Sequence, residues 1–504
     1  MIPTFVRRRT VPLPRVEAQR TANHLLKRVR PPHRLPVAVY AVTQLLLLAW
    51  LVAFFPGLRS FDSVNYVWQV TTGNWNSGHS VLYLALVWAC LHLTGGLAAL
   101  VLVQTVAMAA VLAYSAVALR DLGVRGRWSL AAAAGCAALP STGAFTVFLW
   151  KDVPFAICGV LAFAAACRLL AVRLDGGAPS IRNAATRRQL GLLAVGTAGL
   201  MLFRNNGMLP AVGACAVLIV VLAGIRRVLL LLTLAAAALT LLLNGVVYPA
   251  LGVRMVQGAQ SESFLYGDIA DVYGRRPADF TAADRRLMAR VAPLSHWSGR
   301  GSDCWDLDRT MADPFDDDAA AANNARLEAL WWRTVRKDPV EVVRVRLCRS
   351  QIGWGLLPGP ARYNGQTQIS LPHVKQNLFT MADWNWQGRL PRARTVLMPR
   401  PPSATARRLA DSFYRSTTGL PSQIVVWRGA TWCYLGYAAV AGYARRRRSW
   451  TALALAAPIA AAQLTVLAAN PGQLARYMVV PLFLGILVAP LAAARPKAAR
   501  PRAG

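Results

Sequence analysis

The sequence predicts an all-α polytopic membrane protein of about ten transmembrane helices, with exterior surface helices and one mainly helical exterior insert. Three observations predict this class. Only 15% of the 504 residues are charged, against about 25% in a soluble domain. Apolar runs recur along most of the chain, each near the ~20 residues that a bilayer crossing needs. A single polar stretch, 252–423, interrupts them and carries 17 of the 22 acidic residues.

In chain order, residues 1–36 form a basic N-terminal tail that includes Arg7, Arg8 and Arg9. The first apolar run starts only near Val37 and no small-residue cleavage site follows it, so it reads as a retained span rather than a secretory signal. The N-terminal membrane domain, 37–251, holds candidate spans at 37–55, 98–119, 129–149, 153–172, 190–203, 208–224 and 228–251. Spans 424–443, 451–469 and 474–493 make up the C-terminal membrane helices 424–493, and 494–504 is a second basic tail. The segment 79–94 is also apolar. If it stays on the surface, the clusters Arg120/Arg125/Arg127, Arg173/Arg182/Arg187/Arg188, Arg226/Arg227, Arg445 to Arg448 and Arg495/Lys497/Arg500/Arg502 all share the side of the N-terminal tail. That is the cytoplasmic side by the positive-inside rule. If it crosses, every later cluster moves to the opposite side. Segment 79–94 is therefore expected to lie on or dip into the outer surface, within a first exterior loop at 56–96. The insert 252–423 then faces the exterior of the cell membrane and both termini are cytoplasmic. Its 355–363 and 387–402 stretches read as loops.

The net charge of +34 is explained by these orientation clusters. No nucleic-acid recognition motif accompanies it, so nucleic acid is not an expected partner. Of eight cysteines, Cys90, Cys136, Cys158, Cys167, Cys215 and Cys433 sit in or beside apolar segments as packing residues. Cys304 and Cys348 are the two in the insert; an oxidising exterior permits a disulfide between them, and two buried thiols are the alternative. The run Asp313 to Asp318 lacks a complete calcium-loop pattern and reads as a solvated helix start.

The polar residues outside the insert gather at predicted outer turns. In the first loop Asp62, Asn65, Tyr66 and Gln69 recur at three- and four-residue spacing, one face of a helix. That face suits a sugar, with a ring to stack on it and amides to bond its hydroxyls; it equally suits an interfacial helix contributing to an aromatic belt. Asp152, with Pro154 behind it, is either a helix cap or a second carboxylate that orients a sugar hydroxyl or shares a metal. Arg204, Arg476 and Lys151 are cations on the side where short loops are poor in them. They suit an anionic lipid phosphate, or they snorkel to the interface. Asn205 and Asn206 are turn formers beside Arg204.

An Asp soon after the first span, an aromatic surface helix, then a Gly-to-His turn (Gly73 to His79) opening a second surface helix resembles the GT-C superfamily of membrane glycosyltransferases. The likeness extends to Trp150-Lys151-Asp152, Arg204-Asn205-Asn206-Gly207 and the late Arg476-Tyr477, patterns similar to a bacterial branch of that superfamily. It covers roughly 37–251 and 424–493. Where the family usually has His-Pro or Pro-Pro, this chain has His79-Ser80. The resemblance implies a polyprenyl-phosphate sugar donor and an acceptor in the cell envelope, whether glycan, lipid or protein. It implies Asp62 as catalytic base of an inverting transfer, with Asp152 beside it and the donor phosphate on Arg204, Arg476 and Lys151. Sugar or acceptor contacts fall to Asn65, Tyr66, Gln69, His79, Asn205, Asn206 and Tyr477. The insert is expected to cover the cavity and select the acceptor. No particular cofactor follows from it, and a divalent metal stays open because family members differ. Two other classes compete: a lipid or polysaccharide transporter or flippase, and a non-catalytic membrane scaffold. The absence of two similar halves and the gathering of polar groups at one face weigh against transport.

Overall fold

A computed structural model describes residues 34–255, 259–357, 396–397, 400–419 and 421–495. The basic stretches 1–33 and 496–504, and most of the 355–363 and 387–402 loops, lie outside those residues. Among the described residues the chain is helical, with three isolated bridges and no β-strand. Six helices are long and apolar enough to cross a membrane: Arg34–Ala53, Ala98–Asp121, Asp152–Leu174, Ala223–Ala250, Trp450–Ala469 and Ala475–Ala493. Ala184–Phe203, Asn205–Val221 and Gly429–Arg447 pack among them.

Small residues set the closest helix approaches. A Cβ on Gly196 would fall 2.8 Å from the Cys158 carbonyl oxygen and from the Ala162 nitrogen. Helices Asp152–Leu174 and Ala184–Phe203 thus meet backbone to backbone, as small residues allow in a bilayer. Gly143 leaves room for the Trp50 indole of the first helix in the same way.

Two expected spans come out differently. The 129–149 span is broken: one helix ends at Ala138, Leu139 is extended (φ −62°, ψ 133°), and a short helix, Pro140–Thr146, follows. Pro140 lacks the N–H that the helix needs and drives the preceding residue out of the α region. The 424–443 span starts late, at Gly429, after a separate turn Ser422–Val426. The break falls at Arg428, which is extended and buried, with its guanidinium 3.4 Å from the Gln351 side-chain oxygen.

The break after Thr146 positions the first loop. Residues 147–149 are freed from helix and pair with Leu58, whose N–H donates to Val147 O and whose carbonyl accepts from Leu149 N–H, both at 2.9 Å. Ser63 Oγ donates to Leu149 O at 2.9 Å, and the Trp150 indole donates to Ser60 Oγ. The helix Phe61–Thr72 is therefore stitched to the segment that leads into Lys151-Asp152. It ends at Gly73 in the left-handed conformation (φ 73°), which turns the chain back toward His79. The second surface helix, Val81–Thr94, is capped by Ser80, whose hydroxyl also donates to Leu202 O at 2.8 Å.

The insert has its own apolar core, built from Tyr266, Ile269, Trp297, Phe315, Leu327 and Leu330 among others. Helices Ala259–Arg275 and Pro339–Arg349 are locked by buried ion pairs: Asp268 to Arg346 at 2.6 Å and to Arg349 at 2.8 Å, and Asp271 to Arg349 at 3.1 Å. Cys304 and Cys348 are disulfide-bonded, with Cα atoms 5.8 Å apart. The insert grips the turn before the last helix. Arg349 O accepts from the side chains of Asn470 and Gln473, each at 2.7 Å, and Leu307 N–H donates to Pro471 O at 2.9 Å.

Candidate functional site

Four turns of the membrane domain meet at its insert-bearing end. Asp62 lies in the first turn of Phe61–Thr72, and Lys151-Asp152 opens Asp152–Leu174. Arg204 closes Ala184–Phe203, and Arg476-Tyr477 opens the last helix. Two ion pairs form there. Arg476 Nη1 is 2.7 Å from Asp62 Oδ2, with the two side chains 19% and 23% exposed. Arg204 Nη1 is 2.5 Å from Asp152 Oδ1, with 12% and 3% exposed. The Asp62 pair is thus the more exposed of the two, and Asp152 is the most deeply buried of the four side chains.

Aromatic rings separate and hold the cations. Tyr477 lies under both guanidiniums, 5.0 Å from Arg204 and 5.4 Å from Arg476. Trp150 supports Arg476 at 5.1 Å and Phe155 supports Arg204 at 5.4 Å. Such contacts fix the guanidiniums while leaving their edges for an anion. The third cation, Lys151, has its Nζ 2.9 Å from His79 Nδ1. Burial and the Lys151 charge push His79 down to about 3, so its ring is neutral and accepts from the ammonium. Burial pulls Lys151 down as well, with Asp62 and Asp152 opposing. For Asp62, burial acts upward, but Arg476, Lys151 and His79 outweigh it and hold the carboxyl well below the usual range. Asp62 is therefore ionised at neutral pH.

The other sequence candidates divide. Tyr66 is 1% exposed, edge-on to His79 at 4.9 Å, and its hydroxyl is buried without a hydrogen-bond partner among the described residues. Gln69 is buried and spent on the loop itself: it donates to Asn65 Oδ1 at 2.8 Å and accepts from Asn76 N–H at 2.9 Å. Asn205 is exposed, whereas Asn206 is half-buried and lines the cleft with Arg204 and Tyr477.

Below Arg204 the cleft continues as an apolar crevice. A small space of about 30 Å³ beside Arg204, Asn206 and Tyr477 shares the walls Phe155, Pro210, Ala462 and Val480 with a second of about 30 Å³ deeper in the helix bundle. The deeper part is lined by Gly159, Ala162, Leu200 and Leu484 and carries almost no polar surface. Charge at the mouth and hydrocarbon lining below suit an amphiphile with an anionic head.

Asp308 of the insert also stands within electrostatic range of Asp62, Arg476 and Tyr477. Sequence reasoning missed it, because nothing in the spacing around 306–309 distinguishes it from the other insert acids. Among the described residues no group of three or more His, Cys, Asp or Glu side chains converges to hold a metal, and no step below runs through one. Compared with family models, with curated proteins and with solved structures, the chain matches none.

Proposed function

We propose that this protein is a GT-C-like membrane glycosyltransferase that moves a sugar from a polyprenyl-phosphate donor to an acceptor at the outer face of the cell membrane. The observation that carries the reading is a single convergence: an ionised carboxylate, three cations and an apolar crevice meet at one end of the bundle. The three parts match what a lipid-phosphate sugar requires, namely a base for the acceptor, a cradle for the phosphate and a slot for the hydrocarbon chain. In this reading ten helices cross the bilayer. They are the six long ones, the broken pair Gly126–Ala138 and Pro140–Thr146 counted as one, Ala184–Phe203, Asn205–Val221 and Gly429–Arg447. The termini are then cytoplasmic and the insert is exterior.

The reaction follows from the pairs. The donor phosphate takes hydrogen bonds from Arg476 and Arg204, with Lys151 adding charge. In doing so it competes with Asp62 for Arg476, loosening the contact that suppresses the basicity of the carboxylate. Asp62 accepts the proton of an acceptor hydroxyl as its oxygen attacks the anomeric carbon from the face opposite the phosphate. The bond from that carbon to the phosphate oxygen breaks, and polyprenyl phosphate leaves with the electron pair, stabilised by the guanidiniums. The configuration inverts. Asp152 stays paired to Arg204 and keeps that cation aimed at the crevice mouth.

The test is release of polyprenyl phosphate by purified protein in lipid nanodiscs offered a panel of polyprenyl-phosphate hexoses and pentoses. Asp62→Asn should lower turnover by about 10²-fold or more, as expected for loss of a general base, with donor binding changed little. Near-normal turnover by Asp62→Asn would sink the assignment.

A further inference from the structure

The insert fixes one short loop against the cleft. Leu307 N–H is bonded to Pro471 O at 2.9 Å, and Asp306 bridges to Gly472, four residues before Arg476. The loop is held from behind by the Cys304–Cys348 disulfide and by Thr310, whose hydroxyl donates to Gly301 O at 2.7 Å and whose carbonyl meets His296 Nε2 at 2.9 Å. Three acids stand on it, and two have structural work. Asp303 accepts from Trp305 N–H at 3.1 Å and pairs with Arg309 at 3.4 Å. Asp306 accepts from Asp308 N–H at 3.2 Å and faces the same arginine at 3.8 Å.

Asp308 has none. Its side chain is exposed, and among the described residues its carboxylate has no hydrogen-bond or ion-pair partner. It nevertheless stands in the field of Asp62 and Arg476, with burial and Asp306 pushing its carboxyl up. An exposed group that is also surrounded by protein lines a cleft. An unpaired anion held rigidly beside another carboxylate adds nothing to the fold. The Tyr66 hydroxyl, buried beside the pair at Asp62, is also without a hydrogen-bond partner among the described residues.

We propose that Asp308 is the insert's contribution to the site: it binds the acceptor through a hydroxyl and disfavours anionic acceptors, so that the acceptor is an uncharged polyol such as a neutral sugar headgroup. The proposal rests on the transferase reading and adds the acceptor class to it. Asp62 then activates one hydroxyl while Asp308 holds another from the opposite wall.

The experiment compares wild type, Asp308→Asn and Asp62→Asn in nanodiscs, with the best donor of the panel and three acceptors: methyl glucoside, a short-chain glucosyl diacylglycerol and methyl glucuronide. Asp308→Asn is expected to raise KM for both neutral acceptors roughly tenfold, the range a hydrogen bond to a charged group supplies. Donor KM should be unchanged and kcat within about threefold, because the base is intact. For the glucuronide, kcat/KM should rise by about threefold as a like charge is removed. The neutral acceptor with the lower wild-type KM identifies whether the headgroup is presented free or on a lipid. Unchanged KM for the neutral acceptors, with an unchanged preference over the glucuronide, overturns the proposal while leaving the transferase reading intact. If wild type releases no polyprenyl phosphate from any donor, or Asp62→Asn matches it, the transferase reading falls and the role of Asp308 falls with it.

Discussion

Of the two ion pairs at the site, Arg204 and Asp152 make the one whose removal should be felt more by the fold. Replacing Arg204 with Met keeps most of the apolar stem but leaves a carboxylate that is 3% exposed without its cation. Stranding one member of a buried pair costs about 3–5 kcal/mol. Loss of the guanidinium contacts with Phe155 and Tyr477 adds about 1 kcal/mol. Asp152 opens the helix Asp152–Leu174, and the helix dipole offsets roughly 0.3–1 kcal/mol. The net expectation is about 3–5 kcal/mol. Asp152→Asn should cost less, because Arg204 is more exposed than its partner and can turn toward the cleft. The double variant removes both charges, so its cost should fall short of the sum by about 2–3 kcal/mol. The same cycle at Asp62 and Arg476, whose side chains are 23% and 19% exposed, should give a coupling of about 1 kcal/mol, because solvent screens it. The assay is equilibrium unfolding of purified protein in mixed micelles across both cycles. Additive effects at Asp152 and Arg204, or equal coupling in the two cycles, would refute the claim that burial separates an architectural pair from a working one.

Two further outcomes follow from the same geometry. Arg476→Gln removes the leading charge that holds Asp62 low, leaving burial to act upward against only Lys151 and His79, so the acid limb of turnover should move up by about 1–3 pH units. The sign is that of a depressed carboxylate: the wild-type base form persists as pH falls through the ordinary range near 4, whereas the variant loses it first; a pH–rate profile of polyprenyl phosphate release reads this, and an unmoved limb would remove Asp62 from the role of base. Gly143→Val places carbon where the Trp50 indole lies and should destabilise by about 1–3 kcal/mol, measured in the same micelles and relieved by Trp50→Leu.

What could be read from the sequence was whatever depends on local composition. Hydropathy located the six long apolar helices, because an apolar run of bilayer length has few other uses. Pro140 was visible inside the 129–149 run, yet hydropathy averages over a residue whose missing N–H decides where the helix stops. Arg428 failed as a boundary signal for a different reason: its partner, Gln351, belongs to the insert. Basic-cluster sidedness put Asp62, Lys151, Asp152, Arg204 and Arg476 on one face, but not who pairs with whom, since Asp62 and Arg476 are 414 positions apart. Gln69 shows the converse. Its spacing placed it on the sugar-facing stripe, while its side chain is consumed by Asn65 and the Asn76 backbone, a demand that arises only once the Gly73 turn folds back. Asp308 was unreadable because its neighbours in the cleft come from the opposite ends of the chain.

That separation bears on how the molecule is made. Asp152 and Arg204 are 52 positions apart and can join as soon as their two helices enter the bilayer. Asp62 has to wait for Arg476; at 5–20 residues per second, translation of the intervening 414 residues takes roughly 20–80 seconds. The insert is synthesised in that interval, ahead of Asn470 and Gln473, whose side chains bind the Arg349 carbonyl and hold the final turn in place. A ribosome stalled before the last hairpin would leave the earlier helices with Asp62 lacking its Arg476 partner, so this pair is the last part of the four-turn cluster to be assembled.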